Sequence, residues 1–265
     1  MSRGRVLTGL LALLACASPA GPRQLHLAAG DYPLGSGPDQ REWAYRRSPP
    51  GVRSQGWYDA WEQAPHRVRL PGLWIDETPV TQAQYQVFVR STGHRAPGIR
   101  PRAYQRQGFL AHSYAEVVPY LWQGGVPPSD RLDHPVVLVD WEDAAAYCAW
   151  RSMRLPSEDE WEAACRGPEG RWLPWGDDWE PGRAQSGASG TAAVGAHPLG
   201  ATPEGVQDLV GNVFEWTATP FGAGRMVLKG CSWDDVPGTC RCAFRHGRPA
   251  RSRHILIGFR CVRDP

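Results

Sequence analysis

The plainest periodicity in the chain lies between His134 and Gly167. Residues 135–139 (PVVLV) form a short apolar run rich in β-branched side chains, which suits a buried strand. Asp140 follows as an N-cap with Asp143 three residues on, and Ala144, Ala145 and Cys148 then recur at the spacing of one helical face. Arg154-Leu155-Pro156 ends that helix, because the ring of a proline excludes the helical conformation from the residue before it. Ser157 and Glu160 stand at capping-box spacing and predict a second helix that turns Trp161, Ala164 and Cys165 inward. Thr81 and Gln84 repeat the device ahead of Tyr85, Phe88 and Val89.

The amino terminus follows another pattern. Arg3 and Arg5 precede an apolar run over residues 6–15 that is too short for a mature membrane helix and predicts a secretory signal. Leu13-Leu14-Ala15-Cys16 resembles a bacterial lipobox, which implies a signal over 1–16, a diacylglyceryl anchor on Cys16 and a tether over 17–27. The competing expectation is an ordinary signal cut near Ala17 or Ala20.

The strand, the capped helix, the Arg-Leu-Pro break and the second capped helix together resemble the sulfatase-modifying-factor (formylglycine-generating-enzyme) domain. Residues 30–36 (GDYPLGS) resemble its opening strand and glycine turn, and residues 62–70 with 73–81 resemble its second signature. Residues 173–177 (LPWGD), 208–216 (DLVGNVFEW) and 258–261 (GFRC) complete the series in order. The resemblance implies an α+β fold over 28–265, irregular and loop-rich, of C-type-lectin-like topology. It also places the chain in a superfamily with ergothioneine-synthase and pyoverdine-maturation proteins. Thirteen Trp, 30 Gly and 25 Pro in 265 residues agree with a loop-rich domain filled by large rings. Residues 40–64 lack a period and are expected to be a surface insertion. A formal charge of +2 without a basic stripe argues against nucleic acid, and the locally basic 241–253 is expected to be a solvated or ion-paired face.

Seven cysteines are present, and lipidation of Cys16 leaves six, an even number for an oxidising compartment. Sequence alone leaves their pairing open. The resemblance implies Cys148 with Cys261 and Cys165 with Cys242, and the simplest fate of Cys231 and Cys240 is a third bridge. Copper members of the family hold Cu(I) between two thiolates downstream of a Gly-Gly-Ser-Tyr/Trp turn. Here the turn is Gly230-Cys231-Ser232-Trp233, and Asp234-Asp235 occupy the neighbourhood of the first catalytic cysteine, so copper is not expected. Cys231 and Cys240 as a relocated redox pair, and His246 and His254 as acid/base groups, are the remaining catalytic candidates. A structural bridge for the cysteines, and a surface or hydrogen-bonded role for the histidines, are the competing expectations.

The resemblance further implies a calcium ion held by the Asp208 and Glu215 side chains and the Gly211 and Val213 carbonyls, hard oxygen ligands within one turn. The function expected from all this is an envelope lipoprotein, on the periplasmic or outer-membrane face, whose domain binds or scaffolds an envelope protein or peptide. The alternative is an oxidoreductase of the same family, oxidising a protein cysteine or maturing a siderophore.

Overall fold

The computed structural model describes residues 21–107 and 111–265. The signal segment and Cys16 lie outside the described residues. The chain opens with β1 (Gln24–Leu27) and β2 (Gly30–Leu34), passes through short helices α1 (Pro38–Arg46), α2 (Pro50–Ser54) and α3 (Trp57–Trp61), and returns in β3 (His66–Leu70) and β4 (Leu73–Asp76). Helices α4 (Gln82–Thr92), α5 (Pro101–Arg106), α6 (Tyr114–Val117), α7 (Trp141–Trp150) and α8 (Glu158–Arg166) follow. Strands β5 (Phe214–Pro220), β6 (Arg225–Lys229), β7 (Arg245–Pro249), β8 (Ile257–Gly258) and β9 (Val262–Arg263) end the chain. They assemble as a three-stranded sheet β1-β4-β9, a two-stranded antiparallel sheet β2-β3 and a four-stranded sheet β7-β6-β5-β8. The fold is α+β, as expected.

Both predicted capping boxes form, and the Asp140 cap is a third. The Thr81, Asp140 and Ser157 side chains each accept from the backbone N–H three residues on, which supplies donors at a helix start with an acceptor. Helix α8 is buried on nearly every side, and its charge is matched inside: Glu162 accepts from Arg166 Nε at 2.8 Å and from Lys229 Nζ at 2.7 Å. On α7, Tyr147 is buried where Ala145 is only half-buried, so the inward face turns further than the sequence implies. Tyr147 stacks on Tyr85 with centroids 5.5 Å apart, joining α7 to α4. Disulfides tie Cys148 to Cys261 and Cys165 to Cys242, closing 113 and 77 residues. Loop-entropy reasoning gives each about 4–5 kcal/mol.

Three expectations need correction. Residues 135–139 are buried but form no ladder strand: Pro135 makes one bridge to Thr81, and Leu138 sits at φ 60°. Their polar groups are satisfied one at a time, by Val80 O for Val136 N and by His254 O for Leu138 N. The tether does not reach residue 27, because β1 pairs with β4 from Gln24 and buries Leu25 and Leu27. Residues 40–64 are not confined to the surface. They supply α1–α3, bury Ala44, Tyr45 and Tyr58, and carry Glu62 inward to pair with the buried Arg241. The basic 241–253 stretch is ion-paired inside rather than solvated, with Arg245 on Glu158 and Arg253 on Asp140 and Asp143.

Candidate functional site

A cleft of about 460 Å³ opens between α3, β5, β7 and the turn after Trp233. Its apolar lining is aromatic. Trp57 and Trp61, one helical turn apart on α3, stack with centroids 4.8 Å apart. Phe214 comes from β5, and Phe221 and Phe244 complete the aromatic lining. Phe221 lies tightly against β7: a Cβ on Gly247 would come 2.1 Å from its ring, so only glycine fits there. The Arg225 and Arg245 guanidiniums lie 5.1 and 4.9 Å from the Phe221 centroid.

His246 is buried in this wall, its ring 4.6 Å from that of Phe214 and 6.2 Å from that of Trp61. Its Nδ1 has no hydrogen-bond partner among the described residues. Burial, reinforced by Arg248 and Arg225, pushes its pKa down to about 3, so the ring is neutral near pH 7. His254 lies behind it, across a smaller cavity that both histidines line. Its Nδ1 accepts from Leu256 N at 3.3 Å and its Nε2 lies 3.3 Å from Tyr104 Oη. Burial and then His112 push the His254 pKa down to about 4. Of the two histidines expected as acid/base groups, His254 is thus fixed by the fold and His246 is a neutral ring with an unused nitrogen.

Cys231 and Cys240 form the third bridge and are fully buried. The backbone N–H of Gly211 points at Cys231 Sγ, 2.9 Å away. Gly230, ahead of it, has φ 77°, and a Cβ there would meet Leu209 O at 2.7 Å. As expected for a structural bridge, neither sulfur is a resting thiolate. Among the described residues no three His, Cys, Asp or Glu side chains group as a metal site.

The residues that stand at the cleft wall instead are acidic. Ser232 Oγ lies 2.6 Å from Asp234 Oδ1 and 2.5 Å from Asp235 Oδ2, and Ser232 N donates to Asp235 Oδ2 at 2.9 Å. His112 places Nε2 2.8 Å from Asp234 Oδ2 and Nδ1 3.1 Å from Glu116 Oε1. Burial opposes charge on His112, but hydrogen bonds to Glu116 and Asp234 outweigh it and raise the pKa. The His112 contact holds Glu116 down to about 2. Asp235 is partly open to the cleft yet closely packed, and burial, with Asp234 adding repulsion, pushes it up to about 6. The doublet beside Ser232 was the only sequence signal for this group, since His112 is 122 residues from Asp234.

The turn expected to hold calcium is tight, with Asp208 at φ 55°, Gly211 at 85° and Asn212 at 62°. Asp208 Oδ2 accepts from Gly195 N at 2.7 Å, and burial raises the carboxyl pKa. A hard cation would relieve that charge, and the Gly211 and Val213 carbonyls suit it chemically. Glu215 does not fit the same role. Its two oxygens accept from Arg260 Nε and Nη2, both at 2.7 Å, and Trp161 Nε1 donates to it at 2.9 Å. Both partners of that ion pair are fully buried, so Glu215 is the counter-charge of Arg260.

Residues 17–265 match the family described as sulfatase-modifying factor enzyme 1-like domain. The chain is 30% identical to the inactive C-alpha-formylglycine-generating enzyme 2 of Mus musculus, over 91% of this chain and 85% of that protein. It is 29% identical to the mouse formylglycine-generating enzyme, over 81% of this chain and 71% of that protein. Among solved structures, PvdO from Pseudomonas aeruginosa superposes with a TM-score of 0.68 at 22% identity, covering 95% of this chain and all of that one. That last likeness speaks for the fold alone. Capped helices, cysteine frame, glycine turn and sequence match agree, and the chain belongs to the sulfatase-modifying factor enzyme 1-like domain family.

Proposed function

We propose that the protein is an exported, Cys16-lipidated envelope domain that binds a protein or peptide group in its aromatic cleft and does no copper-dependent cysteine oxidation. The observation carrying this reading is the buried Cys231–Cys240 bridge, which occupies the only two cysteines not used by the other pairs within residues 21–265. Cu(I) chemistry of the family type needs thiolates. Stacked Trp57 and Trp61 offer a rigid aromatic surface of the kind that anchors peptide side chains. Three bridges in the frame favour an oxidising compartment. Thiol titration of the mature chain, unfolded without reductant, tests the reading: no free thiol supports it, and two free thiols sink it.

An oxidoreductase is the second reading. It draws on the position of the bridge, since Thr239, next to Cys240, lines the cleft, and on the likeness to the mouse formylglycine-generating enzyme. Reduction would place a dithiol beside the ligand space. A titration that finds the pair reduced in protein isolated with thiols trapped would favour it.

A further inference from the structure

The sheet β1-β4-β9 turns one face to the core. Leu25, Leu27, Leu73, Ile75 and Val262 lie on that face and are buried. Residues of the opposite parity fall on the outer face, because side chains alternate along a strand. Register sets three of them side by side, His26 opposite Trp74 and Trp74 opposite Arg263. The rings of His26 and Trp74 have centroids 5.1 Å apart, and the Arg263 guanidinium lies 5.5 Å from the Trp74 centroid. His26 and Arg263 are exposed, and Trp74 is half-buried. Arg263 makes no ion pair among the described residues. The acidic groups around it are each matched: Asp76 by Arg151, Asp264 by Arg154, and Glu77 by Arg23 at 4.0 Å.

The chain arrives from Cys16 on the same side of this sheet. Gln24 and Asp76 pair in the register and share the parity of His26 and Trp74. Arg151 donates to Asp76 Oδ2 at 2.7 Å, and a Cβ on Gly21 would meet the Arg151 guanidinium at 2.2 Å. Gly21 therefore stands beside the outer face, with His26 five residues on and Cys16 five residues back. Five residues span at most about 18 Å whatever conformation they take. A domain the size of residues 21–265 is about 45 Å across. An anchor on Cys16 is thus shorter than the domain is wide, and it holds the outer face of β1 within reach of the headgroups.

We propose that His26, Trp74 and Arg263 form the face that rests on an anionic phospholipid surface when the chain is anchored through Cys16. The inference rests on the lipid-anchored reading and adds the docking face to it. Tryptophan suits the headgroup level, because its ring is apolar and its N–H polar. Arg263, held beside that ring, presents its guanidinium to lipid phosphate. One arginine attracts an anionic surface only modestly, so docking relies on the anchor to keep the face and the bilayer at high effective concentration.

The test places the full lipidated chain in vesicles of phosphatidylglycerol and phosphatidylcholine that carry a diazirine phospholipid. After irradiation, lipid adducts are mapped by peptide mass, and fatty-acid labelling of the same preparation reports the anchor. Adducts should concentrate on peptides holding residues 23–27, 73–76 and 262–265. Arg263→Gln, at an exposed position, should lower the yield on those peptides by up to about fivefold, the effect of one arginine near an anionic surface. Vesicles of phosphatidylcholine alone should lower it for wild type. A lipidated chain with adducts elsewhere, or spread evenly, overturns the docking face and leaves the anchor standing. Yields unchanged in Arg263→Gln overturn it as well. A chain that takes up no fatty acid removes the anchor and the docking face together.

Discussion

Replacing Glu215 by Gln separates two roles for one carboxylate. In wild type, Glu215 and Arg260 are both fully buried, and Arg260 is further fixed by the carbonyls of Asp76, Glu77 and Gln207 at 2.8–3.1 Å. Glu215→Gln keeps one acceptor oxygen but leaves the guanidinium without its counter-charge. Removing one partner of a buried pair costs about 3–5 kcal/mol, and the retained hydrogen bond argues for the lower end, about 3 kcal/mol. For a domain of this size, each kcal/mol moves the melting midpoint by about 2–4 °C, so a fall of roughly 6–12 °C is expected. The assay is a thermal melt with the disulfides oxidised, run once with chelator and once with excess calcium. The loss should appear with chelator, because it does not depend on the ion. Any rise in midpoint caused by calcium should persist in Glu215→Gln and vanish in Asp208→Ala, which removes a ligand oxygen, since binding to the folded state alone stabilises by mass action. A chelated Glu215→Gln that melts within about 1 kcal/mol of wild type would refute the assignment. Loss of the calcium response in that variant would return Glu215 to the ligand set.

His246→Phe removes the unpaired Nδ1 while keeping a ring of similar shape, so it should stabilise the protein near pH 7 by about 1 kcal/mol in urea titrations; a loss of more than that would show that Nδ1 has a partner. The same variant should flatten the pH dependence. The folded pKa near 3 lies below the ordinary value of 6.5, so the contribution of neutral His246 is present above 6.5 and lost as pH falls toward 3. Asp235→Asn works in the opposite direction: the raised carboxyl contributes stability below its ordinary pKa of 3.8 that is lost as pH rises through about 6, so the variant should gain on wild type by on the order of 2 kcal/mol at pH 8. Midpoints that do not converge at low pH would contradict that sign. Metabolic labelling with a fatty-acid probe should mark wild type and spare Cys16→Ser, and equal labelling would remove the lipid anchor from the account.

What was legible in the sequence was local. Thr81 with Gln84, Asp140 with Asp143 and Ser157 with Glu160 each lie within one helical turn, and the physics of a capping box needs nothing further away. Residues 135–139 misled because an apolar run reports burial, and burial does not distinguish a ladder strand from an extended segment satisfied bond by bond. Residues 40–64 read as a surface insertion because what draws them inward, Glu62 on Arg241, pairs across 179 residues. The same distance hid the site. Asp234 and Asp235 stood out only as replacements for a cysteine, and their partner His112 carried no signal at all. Glu215 sat in a motif whose resemblance named a ligand, while Arg260, in the neighbouring motif, takes both its oxygens.

If the cysteine frame is wholly structural, the protein has no copper oxidase activity to find. Purified mature protein, reconstituted with Cu(I), is incubated with oxygen and a Cys-x-Pro-x-Arg peptide, and the peptide mass is followed. The peptide mass should stay unchanged, because buried Cys231 and Cys240 are joined to each other and offer no thiolate pair to soft metal. Conversion of the peptide cysteine, abolished by Cys231→Ser or Cys240→Ser, would contradict it and make the bridge a catalytic one.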